Sequence, residues 1–306
     1  MRRFLLRRLA LLIPVLLGVS TVVFLVTHVL PGDPVDLMLG ETAQPAQREE
    51  LRRSLGLDKP LPHQYLLFMG GLLRGELGKS LHTGRPVVAL LLERLPATLE
   101  LAAAALVVAI LIAIPLGTLA ASRPRSPLDT GSMFLATLGV SIPNFWLGPL
   151  LIILFSIQLG LFPVSGRGGL LSLVLPALTL GTSMAAILTR MTRASLLEVV
   201  GKDFIQAARA KGLGERRVML LHAMRNAFIP IVTVAGLQLG ALLSGSVITE
   251  TIFAWPGVGR LTIQAIAARD YPLVQGCVLL IAGAYVLANF LTDIIYGFLD
   301  PRIRYR

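Results

Sequence analysis

Apolar residues gather in six long stretches, at 9–30, 97–121, 130–157, 171–192, 228–251 and 272–298, separated by segments rich in glycine, proline and charge. Each is long enough to carry a helix across the hydrocarbon core of a bilayer, which takes roughly 20 residues. A helix on the surface of a soluble protein would show an apolar stripe beside a polar face. These stretches are apolar all round. The pattern therefore predicts an all-α polytopic membrane protein with six transmembrane helices, forming one domain over 1–306. Pro14, Pro115, Pro149 and Pro176 lie inside the stretches and predict kinks that a helix bundle can accommodate.

The start of the chain imitates a secretory signal, with Met1-Arg2-Arg3 and Arg7-Arg8 ahead of the first stretch. Leu9 to Leu30 is too long for a signal core, and no small-x-small cleavage site follows, so the stretch reads as a retained first span. Basic residues then set orientation. Arg2, Arg3, Arg7, Arg8, Arg123, Arg125, the run from Arg190 to Arg225, and Arg302, Arg304 and Arg306 share one side if both termini are cytoplasmic. The positive-inside rule selects that orientation. The segment 31–96 is then an external loop, in which acidic residues balance the basic ones. Its short apolar run Tyr65–Leu73 predicts an amphipathic helix on the membrane surface rather than a span.

Composition agrees with the pattern. The 306 residues are 55% hydrophobic and 15% charged, with a mean hydropathy of +0.76, where a soluble domain carries about a quarter charged residues. A net charge of +11 would suggest nucleic acid in a soluble chain; here it sets topology and meets membrane lipid, and no nucleic-acid partner is expected. The single cysteine, Cys277, can form no intrachain disulfide and reads as a packed thiol.

Catalytic chemistry has little to stand on. Gly75-Glu76-Leu77-Gly78-Lys79-Ser80 ends like a P-loop, but Leu73 occupies the position where the first glycine belongs, and no strand precedes it. HExxH and GxSxG motifs are missing, and His28, His63, His82 and His222 are scattered. The sequence thus predicts a non-catalytic chain with no metal site, whose energy source is a partner. Asp293, Glu100 and Glu250 lie near the ends of predicted spans, where structural roles outweigh roles in transport. Small residues recur every four positions at Ala113, Gly117 and Ala121, and again at Gly236, Gly240 and Ser244. These are expected to be seams between helices.

The predicted cytoplasmic loop, 193–227, holds two short helical patterns meeting at Gly212. The first would place Phe204, Ala207 and Ala208 on one face and charge on the other. Two occupants suit such a face equally: a groove on another protein, or an anionic lipid surface. Trp255-Pro256-Gly257, beyond the fifth stretch, is a candidate external contact, although an interfacial anchor is the more usual role for a tryptophan there.

The spacing of Gln206-Ala207-Ala208, Gly212 and Asn226 to Pro230 resembles the loop of permease subunits of ATP-binding-cassette importers, with Gln206 where the general form has glutamate. Ala208-Arg209-Ala210-Lys211-Gly212-Leu213 is similar to the dipeptide, oligopeptide and nickel branch. Leu30-Pro31-Gly32-Asp33-Pro34, Leu55-Gly56-Leu57-Asp58, Arg94-Leu95-Pro96-Ala97-Thr98, Ser141-Ile142-Pro143, Phe253 to Gly259, Asp270-Tyr271-Pro272 and Asp300-Pro301-Arg302 extend the resemblance along nearly the whole chain. It implies a bacterial or archaeal inner-membrane assembly. Its parts would be a second, homologous permease, two ATPase subunits that bind the ATP and Mg, and an extracytoplasmic solute-binding protein. Asp203, Gln206, Ala207, Ala208, Lys211, Gly212 and Leu213 would form a coupling helix docked on an ATPase. Trp255, Pro256 and Gly257 would face the binding protein. Short peptides are the implied solute, with nickel complexes or glutathione as alternatives. A secondary transporter or channel would need coupling residues at mid-membrane or repeated broken helices, and neither is evident in the sequence.

Overall fold

Prolines, and the residues just before them, decide where these helices start and bend. The computed structural model describes residues 2–29, 35, 44–54 and 56–299. Leu30 to Pro34, Leu55 and Asp300 to Arg306 lie outside the described residues. The helices are α1 (Arg2–Val29), α2 (Pro45–Ser54), α3 (Leu61–Leu73), α4 (Val87–Ser122), α5 (Pro127–Ser141) and α6 (Asn144–Leu151), then α7 (Leu170–Val200), α8 (Asp203–Ala210), α9 (Glu215–Arg217), α10 (Met224–Gly245), α11 (Val247–Ile252), α12 (Val258–Ala267) and α13 (Tyr271–Leu299). Two π-helical turns, Ile152–Gln158 and Val218–Ala223, continue α6 and join α9 to α10. No strand forms among the described residues; one isolated bridge pairs Lys79 with Pro86.

Among the described residues, four helical segments are long and apolar enough to cross a membrane: Val87–Ser122, Leu170–Val200, Glu215–Leu242 and Tyr271–Ile295. The expected third span differs. It is split into Pro127–Ser141 and Asn144–Gln158, which meet at 99° and count together as a fifth. The break has a local cause. Pro143 pushes Ile142 out of the helical region, to φ −91° and ψ 114°, because the proline ring crowds the residue before it. The expected first span, 9–30, falls on α1, Arg2–Val29.

The longest pairing is α4 against α7. Along α4, Ala97, Leu101, Ala105, Ala109, Ala113, Gly117 and Ala121 recur every fourth residue and all are buried. A ridge of such small side chains lets two backbones approach closely. At Gly117 the approach admits no side chain, since a Cβ there would stand 2.6 Å from Thr192 Cβ and 2.9 Å from the Thr189 carbonyl oxygen. The second predicted seam also pairs helices, between α10 and α13, with Gly236 against Thr292, and a Cβ at Gly240 would stand 3.5 Å from that of Ala288.

The surface helix expected at Tyr65–Leu73 begins four residues earlier, with Pro62 in its first turn. It packs on α1. Phe24 meets the rings of Tyr65 and Phe68 at centroid distances of 5.3 and 5.6 Å, and the Tyr65 and Thr21 hydroxyls are 2.8 Å apart. Its other face leaves Leu66 and Leu73 exposed.

Candidate functional site

The loop predicted to be cytoplasmic is almost wholly helical, and α8 is the first helix after α7. Lys202 is extended, with φ −82° and ψ 150°, so the chain turns before α8 begins, and Asp203 lies in the first turn, where a carboxylate favours the helix dipole. At the other end Gly212 has φ +76°, a left-handed conformation that glycine adopts without a Cβ penalty. The Gly212 N–H donates to the Arg209 carbonyl at 2.9 Å and the Leu213 N–H to the Ala208 carbonyl at 3.4 Å, which closes the helix in a Schellman turn. Arg209 then reaches across the corner to Glu215, Nε to Oε2 at 3.1 Å and Nη2 to Oε1 at 2.7 Å. Hydrogen bonding to that carboxylate raises the Arg209 pKa above its ordinary value. Gly212 makes the corner and the ion pair braces it.

The expected apolar face of α8 divides in two. Ile205, 0% exposed, and Ala208 face their own chain, in a cluster with Leu196, Val199, Val218, Met219 and Ala223; Leu213 packs against the same cluster. Phe204, 43% exposed, looks outward with Asp203, Gln206, Ala207, Lys211 and Gly212. Ala208 and Leu213 therefore serve to seat the helix on the bundle, and the free ridge runs from Phe204 to Ala207 and Lys211. Ile205, which the periodicity of so short a helix does not single out, is the main anchor.

A second polar contact ties this end of the bundle together. Asp129, almost fully buried, takes Arg193 Nε on Oδ1 at 2.6 Å and Nη2 on Oδ2 at 2.7 Å. The Arg125 N–H also donates to Oδ2, at 2.9 Å. Asp129 sits in the first turn of α5, after a Ser126–Pro127 start whose Ser126 hydroxyl accepts from the Asp129 N–H. That start signal in the sequence could have marked Asp129 as a structural acid. Arg193 lies about two turns before the end of α7, so the ion pair joins the start of α5 to the base of the loop.

At the opposite end Glu250 is fully buried. Its Oε1 accepts from the Thr98 hydroxyl at 2.8 Å and the Ser246 hydroxyl at 3.1 Å, and its Oε2 from the Arg260 N–H at 2.9 Å. The Thr98 oxygen in turn accepts from the Val258 N–H at 2.8 Å. The segment between α11 and α12 folds around this carboxyl. Trp255 is 0% exposed, donates its indole N–H to the Ala97 carbonyl at 2.8 Å and packs with Leu101 and Leu180. Gly257 lies directly against the Glu250 carboxyl group. The roles considered for Trp255, external contact or interfacial anchor, do not fit a side chain in the core; of the three residues only Pro256 is partly exposed.

The segment that ends like a P-loop has an internal task. Ser80 Oγ donates to Asp270 Oδ2 at 2.5 Å and the Leu81 N–H to Oδ1 at 3.1 Å, which clasps this loop to the start of α13. Glu100 pairs with Arg167 at 2.6 Å on the surface.

An all-helical bundle with a broken central span, and a short amphipathic helix held off one end by a glycine corner, defines the membrane-embedded part of a multi-component transporter. The chain belongs to the binding-protein-dependent transport system inner membrane component family: that model matches residues 113–305, and the corresponding N-terminal model matches residues 1–102. It is a multi-pass inner-membrane protein. It is 44% identical over 338 aligned positions to the dipeptide transport system permease protein DppB of Escherichia coli strain K12, with all of both chains covered. It is 43% identical over 306 positions to the glutathione transport system permease protein GsiC of Pectobacterium atrosepticum, again with full coverage. Among solved structures, an inward-facing form of the MetNI methionine ABC transporter superposes with a TM-score of 0.58 and 22% identity, over 69% of this chain and 96% of that one. That likeness shows the fold: an ABC importer permease.

Proposed function

We propose that the chain is one half of the pore of an ATP-driven importer of short peptides. A second, homologous permease forms the other half, two ATPase subunits carry the ATP and Mg, and an extracytoplasmic binding protein delivers the solute. Both termini and loop 193–227 face the cytoplasm, a placement the arginine distribution supports. Asp203, Gln206, Ala207, Lys211 and Gly212 meet an ATPase, while Ala208 and Leu213 hold their helix to the bundle. ATP-driven closure of the ATPase pair pushes this helix, and the pore changes its accessible face.

The observation that carries the reading is the orientation of α8. A helix whose inward side is fixed by Ile205 and Ala208 still leaves Phe204, a large apolar side chain 43% exposed, outside its own core, on a hollow that it lines with Leu221, Met224 and Phe228. An exposed aromatic flanked by small residues suits a groove on another protein.

The dipeptide reading has one competitor. The alignment with the glutathione permease spans 306 positions, the length of this chain, against 338 for the dipeptide permease. Glutathione is a tripeptide with a γ-glutamyl linkage and stands as the alternative solute. Solute-stimulated ATP hydrolysis by the co-purified complex in lipid separates them, with the binding protein loaded in turn with a dipeptide mixture, glutathione or a nickel complex. Stimulation by the dipeptide mixture supports the proposal, stimulation by glutathione or nickel alone keeps the importer and replaces its solute, and failure of the chain to retain an ATPase ends the coupling role as well.

A further inference from the structure

A cavity of about 240 Å³ lies where α5, α6, α7 and α10 converge. Its apolar wall includes Leu180, Met184 and Leu242, and three polar side chains enter it: Asn144, Ser183 and Gln238. All three lie at the middle depth of the bundle. Ser183 is near the centre of Leu170–Val200 and Gln238 falls within Met224–Gly245, while Asn144 is the first residue after the break at Pro143.

The state of these polar groups is the informative part. Ser183 donates to the Leu180 carbonyl at 2.9 Å and keeps its oxygen lone pairs for another partner. The carboxamides of Asn144 and Gln238 are partly buried and make no hydrogen bond to any described residue. In hydrocarbon, a carboxamide without a partner is costly. A bundle seam at this place would use small or apolar residues, as the Ala97–Ala121 ridge does. Two free carboxamides in an apolar-walled hollow instead match a ligand that carries donors and acceptors of its own and passes through.

We propose that Asn144, Ser183 and Gln238 form a transit subsite for the backbone of a peptide crossing the membrane. The inference rests on the importer reading above and adds the contact surface. A carboxamide offers one acceptor and two donors, which fits a peptide C=O and N–H whatever the side chains are. The flexible thioether of Met184 and the branched side chains of Leu180 and Leu242 adapt to varied residues. None of the polar groups is charged, so the subsite binds backbone without holding one terminus tightly. The break at Ile142–Pro143 serves the same end by turning Asn144 into the hollow.

The test uses the complete complex in proteoliposomes. In a Cys277→Ala background, Asn144→Cys and Gln238→Cys are exposed to a charged, hydrophilic methanethiosulfonate reagent, with Leu111→Cys on the apolar surface as control. Both test cysteines are expected to react faster than the control, and glutathione or a dipeptide mixture during ATP turnover is expected to slow them. Separately, Gln238→Leu is expected to lower peptide uptake by about tenfold, the ratio expected for one lost hydrogen bond, with binding-protein-stimulated ATP hydrolysis retained. Gln238→Asn is expected to restore part of the uptake. Unreactive cysteines, or full uptake by Gln238→Leu, overturn the subsite while leaving the importer intact. Reactive cysteines in a complex that takes up no peptide overturn the peptide ligand, and with it the proposed solute class.

Discussion

Arg193 grips Asp129 through two parallel hydrogen bonds, at 2.6 and 2.7 Å, while the carboxylate is almost wholly shut away from solvent. Such a fork is stronger than a simple ion pair because both oxygens are engaged in fixed geometry. Arg193→Leu strands the buried carboxylate, and removing one partner of a buried pair costs about 3–5 kcal/mol. Arg193 is 29% exposed, so the lower end of that range is expected. Thermal unfolding in detergent should fall markedly for Arg193→Leu and recover in large part when Asp129→Leu is added. Equal stability of the single variant and the parent would rule out this latch.

Thr98 bridges two segments through one oxygen, donating to Glu250 and accepting from the Val258 N–H. Thr98→Val keeps the shape and loses both bonds; Glu250 Oε1 keeps Ser246 as a donor, but the buried Val258 N–H is left unsatisfied, at about 1–3 kcal/mol. Thr98→Ser keeps both bonds. The valine variant should unfold at clearly lower temperature than the serine variant, and indistinguishable melting curves would contradict the bridge.

Gly212 has open space around the position of a Cβ but a φ of +76°. Its replacement therefore strains backbone rather than packing. Gly212→Val should cost about 1–2 kcal/mol, the penalty for an L-residue in the left-handed region, and Gly212→Asn less. The protein should still insert, with uptake per ATP hydrolysed falling for valine and largely kept for asparagine. Full coupling in the valine variant would remove the glycine corner from the mechanism.

Phe204 is the largest apolar side chain on the outer face of α8. Phe204→Ala should weaken retention of the ATPase subunits during purification without changing the melting temperature of the isolated permease. Intact co-purification at high dilution would place the ATPase contact elsewhere.

Gly117 admits no side chain because Thr192 Cβ and the Thr189 carbonyl already fill the space. Gly117→Leu should prevent the α4–α7 pairing and cost well over the roughly 1–3 kcal/mol of ordinary overpacking, seen as loss of folded protein at expression. Normal yield and stability would show that the two helices separate freely.

The positions of the long helices were legible because a bilayer demands unbroken apolar sequence. The seams were legible because small residues recur with the period of one helix face. Pro143 was harder. Whether a proline bends a span or breaks it depends on what takes up the freed backbone groups, and that is a tertiary matter. The burial of Trp255 was hidden for a different reason: its partner Ala97 lies 158 residues away, and no local signal connects them. In α8 both Phe204 and Ile205 are apolar, and eight residues cannot tell which faces home. Val218 and Met219, on another helix, decide it.

The length of α4 has a mechanical consequence. Its 36 residues make a rod about 54 Å long at 1.5 Å per residue, locked along one edge to α7. A pair packed along its length in this way turns together, and a push at one end swings it as one beam. Geometry then supplies amplification: a tilt of about 10° displaces the far tip of such a rod by about 9 Å. Small pushes at one membrane surface thereby become wide gaps at the other, with the fulcrum wherever the beam is gripped.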